Sequence, residues 1–167
     1  GAEEKIRIWE ATVDEAAGRV PVYAGTAAIT TGEAIALTQA AERVGVDAVS
    51  VLTPYFVSPS QEELHNHYAA IAAATSLPVI LYNNPDRTGV TLKPSTVARL
   101  AEIPNIVGIK DPSGDLSLTW EMIRQSTDDF QVLMGRDSLI YAGLHHGAAG
   151  AIAATANVVP ALVVEIY

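Results

Sequence analysis

Short apolar runs alternate with longer amphipathic stretches along the whole chain. The apolar runs fall at residues 20–25, 48–54, 78–85, 106–111, 131–135 and 150–157, with successive starts about 18 to 30 residues apart. That pitch accommodates a strand, a helix and two loops. The runs are near-continuous in Val, Ile, Leu and Ala and do not alternate with polar residues, which is expected of parallel strands in a sheet covered by helices.

The stretches between them carry helix signals. Thr30 with Glu33 and Ser60 with Glu63 fit the capping-box pattern, in which a hydroxyl and a carboxylate satisfy backbone donors at a helix start. Leu64, Tyr68 and Ile71 fall on one face at helical period, as do Ile6, Trp9 and Val13 in the first helix. Six βα repeats predict an α/β fold, either a doubly wound sheet or part of a (β/α)8 TIM barrel.

Polar residues at the strand ends favour the barrel. Tyr55 follows the second run; Tyr82, Asn83, Asn84 and Arg87 close the third; Lys110 and Asp111 end the fourth; Arg136 and Asp137 follow the fifth, and Asn157 the sixth. In a barrel these C-terminal ends converge on the face where chemistry is built. A complete barrel needs about 250 residues and eight strands, so residues 1–167 are expected to form one partial-barrel domain of about six βα units.

Composition narrows the function. Ten basic against nineteen acidic side chains give a formal charge of −9 and a pI near 4.7, and no basic stripe of the kind nucleic-acid binders show is present. There are no cysteines, which removes disulfides and thiolate chemistry and fits a reducing, cytoplasmic setting. No apolar run reaches the ~20 residues of a membrane span. The histidine pairs, His65 with His67 and His145 with His146, lack the i,i+4 spacing of helical metal ligands and are expected to be solvated or supporting groups. The economical mechanism uses neither metal nor cofactor.

Lys110 is the prime chemical candidate. Burial disfavours a charged ammonium, so a lysine at the end of an apolar strand is either paired or used as a neutral nucleophile. The neutral use would be Schiff-base formation with a keto acid; the plainer alternatives are an ion pair with Asp111 or a phosphate contact.

The order of the strand-end blocks resolves the choice by resemblance. Thr53-Pro54-Tyr55-Phe56 before Pro59-Ser60-Gln61-Glu62, Tyr82-Asn83-Asn84-Pro85-Asp86-Arg87-Thr88-Gly89, Gly108-Ile109-Lys110-Asp111, Gly135-Arg136-Asp137, and Gly150-Ala151-Ile152 with Thr155-Ala156-Asn157 make up the match. With these blocks the chain resembles the dihydrodipicolinate synthase and N-acetylneuraminate lyase superfamily of class I, pyruvate-handling barrel enzymes. The match runs from the helix before the third barrel strand to the start of the eighth helix. The first two strands and the C-terminal helices fall outside it, as does the Gly-Thr-Thr-Gly-Glu segment whose threonines bind the keto-acid carboxylate.

The resemblance implies roles for individual residues. Lys110 would form the Schiff base and Tyr82 would shuttle protons beside it. Arg87 would bind the carboxylate of an aldehyde or acid co-substrate, the alternative being a surface ion pair with Asp86. Gly135 and Ile152 would bring backbone close to the bound pyruvate, and Tyr55 would line the substrate side of the mouth. Two departures stand out. Phe56 occupies the place of a second tyrosine that in the family's synthases reaches the neighbouring subunit, and Arg136 stands where an acidic residue is common. The implied activity is a lyase or synthase condensing or releasing pyruvate in a homo-oligomer. A deoxy-oxo sugar acid or hydroxy-oxo acid aldolase or dehydratase, an N-acetylneuraminate lyase-like enzyme, and a non-catalytic truncated barrel are the other readings.

Overall fold

The computed structural model describes residues 1–167. Six parallel strands follow one another in the sheet in chain order: β1 (Tyr23–Gly25), β2 (Ala48–Leu52), β3 (Val79–Tyr82), β4 (Ile106–Asp111), β5 (Gln131–Met134) and β6 (Gly150–Ala151). A doubly wound sheet would reverse direction at an inner strand; strictly sequential order gives the wall of a barrel. The barrel expectation holds, as six consecutive βα units of a partial TIM barrel.

The helices are α1 (Ala2–Ala16), α2 (Thr31–Val44), α3 (Gln61–Ala73), α4 (Pro85–Thr88), α5 (Pro94–Leu100), α6 (Leu116–Gln125), α7 (Ile140–His145) and α8 (Pro160–Ile166). At α3 the Ser60 hydroxyl accepts from the Glu63 amide while the Glu63 carboxylate accepts from the Ser60 amide, a complete capping box. At α2 only half the expected box forms: Thr30 accepts from the Glu33 amide, and the Glu33 carboxylate takes the Thr30 hydroxyl at 2.8 Å in place of a backbone donor. Gly45, at φ 89°, ends α2 in a conformation open to glycine at little cost.

The core lies between sheet and helices. Leu64, Tyr68 and Ile71 of α3 are fully buried there with Val49, Val51, Val79, Leu81 and Ile109 of the strands. Removing each such side chain from water contributes about 1.5–3 kcal/mol. The Tyr68 hydroxyl donates to the Val51 carbonyl at 3.1 Å, fastening α3 to β2, and burial pushes its phenol pKa up.

Two details of the strands matter for the site. The sixth apolar run is strand only at Gly150–Ala151; Ala154–Asn157 turns into a short 3-10 segment held by Asp137, which accepts from the Ala154 and Thr155 amides. On β4, Val79 pairs with Ile106 and Ile80 with Gly108, so Val107 is an extra, unmatched residue. Ile106 and Ile109 consequently both join the core on the helix side, although their odd spacing would send them to opposite faces of a regular strand.

Candidate active site

Beyond the bulge, β3 and β4 run in register to their C-terminal ends, with Tyr82 beside Lys110. Leu81 and Ile109 point into the helix-side core, so alternation turns Tyr82 and Lys110 to the other face of the sheet. There the Lys110 Nζ sits 4.3 Å from the centroid of the Tyr82 ring, over its face in cation–π geometry. Asn84 donates to the Tyr82 phenol oxygen at 3.3 Å, leaving the phenol hydrogen free to be given elsewhere.

Gly135, just past β5, is packed against this amine. A Cβ at that position would lie 2.8 Å from the Pro112 Cβ, 2.9 Å from the Pro112 nitrogen and 3.0 Å from the Lys110 Cε. The absence of a side chain is therefore a geometric requirement of this crossing. Ile152 follows β6, half-buried, with its amide donating to the Met134 carbonyl at 2.9 Å.

The plainer readings of the charged residues are corrected. Asp111 turns away from Lys110 to the helix side, where its carboxylate is 1% exposed and accepts from Asn83, Ser113 and Thr119. Asp86 pairs with Arg136, at 3.8 Å, and not with its neighbour Arg87. Arg87 is exposed on the short α4, which Gly89 ends at φ 70°. The positive charge of Arg136 is thus partly offset by Asp86. Asp137 lies near enough to Lys110 to feel its charge. The Thr155 amide does most to hold that carboxyl below the ordinary carboxylate range, with the Ala154 amide and Lys110 contributing less.

Tyr55 is placed apart from this group. It is partly exposed at the edge of a cleft of about 560 Å³ between α1 and α2, whose lining includes Lys5, Ile29, Glu33 and Arg43 but neither Lys110 nor Tyr82. Its neighbour Phe56 is 93% exposed with φ 73°, a left-handed backbone that costs a non-glycine residue roughly 1–2 kcal/mol. His67 also departs from the solvated expectation. It is buried under the Pro54–Pro59 loop, its Nδ1 bonded to the Thr31 hydroxyl at 2.9 Å, and burial holds its pKa below the ordinary value.

The Asn83–Asp111 pair carried no assigned role in the sequence. The signal available was positional, since each residue directly follows one of the two chemical candidates.

Comparisons with known proteins bear on the family and the fold. The model of the Dihydrodipicolinate synthetase family matches residues 1–167. A 4-hydroxy-tetrahydrodipicolinate synthase of Bacillus velezensis is 48% identical over 157 residues, 94% of this chain and 54% of that protein. Another, from Methanopyrus kandleri, is 47% identical over 165 residues, 98% of this chain and 55% of its own. The chloride-inhibited dihydrodipicolinate synthase of Acinetobacter baumannii, solved in complex with pyruvate, superimposes with a TM-score of 0.96 at 45% identity, covering 99% of this chain and 57% of that one. The chain spans about half the length of the curated relatives it matches.

Proposed function

Since this chain belongs to the dihydrodipicolinate synthetase family, we propose that Lys110 forms a Schiff base with pyruvate and that the enzyme joins the bound pyruvate to an aldehyde. The observation that carries the reading is the pairing of Lys110 with Tyr82 at adjacent strand ends, Nζ over the ring at 4.3 Å, with Gly135 against the same side chain.

In this reading the Lys110 amine, in its neutral form, adds to the ketone carbon of pyruvate and water leaves. The imine nitrogen then draws electrons from the adjacent methyl carbon, whose proton departs to give an enamine. That carbon attacks the aldehyde, and hydrolysis returns the amine. Tyr82 gives and takes the protons at the imine, its phenol oxygen held by Asn84. Arg87, unpaired on its turn, receives the carboxylate of the aldehyde co-substrate through its planar fork. Gly135 and Ile152 bring backbone to the keto acid. Arg87 together with the named relatives favours the synthase over the sugar-acid and hydroxy-oxo-acid readings.

The partners proposed are pyruvate, an aldehyde bearing a carboxylate, and further copies of the chain in a homo-oligomer. No helix is long and apolar enough to cross a membrane. The proposed placement is cytoplasmic, a reducing setting that a chain without cysteine suits.

Borohydride reduction in the presence of pyruvate tests the reading on the full chain. The expected result is a stable adduct whose mass maps to the peptide holding Lys110, lost in Lys110→Ala. Pyruvate that leaves no such adduct overturns it. Turnover of aspartate semialdehyde compared with a panel of deoxy-oxo acids then identifies the co-substrate.

A further inference from the structure

We propose that Asn83 and Asp111 are positioning residues, a buried hydrogen-bonded pair on the helix side of the sheet that fixes Tyr82 and Lys110 against each other on the opposite side. The proposal rests on the Schiff-base reading and adds to it the groups that hold the two reacting side chains in place.

Each member of the pair is the residue directly after one of the reacting ones. Asn83 is fully buried and Asp111 is 1% exposed. The Asn83 Nδ2 donates to the Asp111 Oδ1 at 3.0 Å, and the Asn83 backbone amide donates to the Lys110 carbonyl, also at 3.0 Å. Side chain and main chain thus lock the same rung of the β3–β4 ladder. The amide cannot turn over, because its Oδ1 already accepts from the Leu92 amide at 3.0 Å.

The carboxylate is fixed from the other side as well. Its Oδ1 accepts from the Ser113 amide at 3.2 Å, and its Oδ2 from the Ser113 hydroxyl at 3.0 Å and the Thr119 hydroxyl of α6 at 2.6 Å. No cation pairs with it, although lysine is its neighbour in sequence. A buried carboxylate without a counter-charge is a costly way to fill a core position. What it provides, when every oxygen has donors, is one defined arrangement of the groups around it. Here that arrangement joins the ends of β3 and β4 to the start of α6. Because adjacent residues on a strand face opposite ways, a sub-ångström change in this rung is passed directly to the distance between the amine and the phenol.

The test is the rate of borohydride-trapped pyruvate adduct formation at Lys110 in wild type, Asn83→Asp, Asp111→Asn and the double swap, with melting curves to confirm folding. Asn83→Asp sets two carboxylates face to face, and Asp111→Asn removes acceptor capacity. Each is expected to slow the maximal rate about tenfold or more while half-saturating pyruvate changes little, the pattern of lost orientation. The swap restores a donor–acceptor match across the rung and is expected to recover at least about threefold over Asn83→Asp, a coupling that independent structural damage would not give.

Folded single variants that trap pyruvate at the wild-type rate, or a swap no faster than the slower single, overturn the positioning role. If Asn83→Asp fails to fold, Thr119→Val decides: loss of the 2.6 Å hydroxyl bond is expected to slow trapping about threefold, and an unchanged rate overturns the role. A wild-type chain that traps nothing overturns the Schiff-base reading itself, a result distinguishable from either of these.

Discussion

Gly135→Ala is the sharpest perturbation the site allows. The added methyl would stand 2.8 Å from the Pro112 Cβ, about 0.7 Å inside an ordinary carbon–carbon contact of ~3.5 Å. Pro112 is a rigid ring, also approached at its backbone nitrogen at 2.9 Å, so the neighbour cannot rotate away; the Lys110 Cε at 3.0 Å can. The strand ends must part, the lysine must move, or both. Overpacking of this kind costs about 1–3 kcal/mol, read as a fall in melting temperature of about 2–4 °C per kcal/mol for a chain of this size. A displacement approaching 1 Å at the amine slows a reaction that depends on alignment by up to about a hundredfold. The assay pairs melting curves with the rate of trapped adduct at Lys110. Gly25→Ala is the control, since nothing lies within 4 Å of its Cβ position and its backbone is not left-handed. Gly135→Ala with wild-type melting and wild-type trapping would refute the close approach.

Arg87→Ala is expected to raise the half-saturating concentration of the carboxylate-bearing co-substrate about tenfold to a hundredfold, the value of a charge-assisted fork, and Arg87→Lys is expected to recover little of that loss; steady-state kinetics decide, and an unchanged constant removes Arg87 from the site. Ile109→Val, buried on the strand that carries Lys110, should cost about 0.5–1.5 kcal/mol in chemical denaturation while trapping proceeds normally, which separates stability from chemistry. His67 gives a pH signature. Burial lowers its folded-state pKa below 6.5, so its contribution to stability is complete above about pH 6.5 and declines as pH falls from there toward the folded value, where the unfolded chain binds the proton and the folded chain does not. Melting temperature against pH should lose that slope in His67→Gln; a slope that persists would assign it to another group.

What could be read from the sequence was what depends on local pattern. Continuous Val, Ile and Leu runs spaced by capped helices specify covered parallel strands, and the stripe of Leu64, Tyr68 and Ile71 is buried as its period requires. Lys110 and Tyr82 were legible because strand ends share one edge, whichever strands they close. Partners chosen by tertiary packing were not. The sequence offers Asp111 and Asp86 as adjacent counter-ions for Lys110 and Arg87, but alternation sends Asp111 to the opposite face and Asp86 reaches across to Arg136. The half-formed box at Thr30 and the buried His67 have the same origin, since side-chain geometry in the folded chain settles which donor a hydroxyl or ring nitrogen meets. Tyr55 was expected with the other mouth residues, but it lines a cleft between α1 and α2.

The unmatched Val107 has a consequence for how this segment can change over evolution. Strands tolerate insertion in steps of two, since parity decides which way each following side chain points. Here a bulge absorbs one supernumerary residue three positions upstream of the amine, and so keeps Lys110 beside Tyr82. Excising Val107 would leave a regular strand with Lys110 on the same face, whereas straightening the bulge with Val107 retained would present Lys110 to the helices and Asp111 to the keto acid without altering a single atom that touches substrate. Loss of activity through this position would come from counting, and no inspection of the contacts around the amine would reveal why.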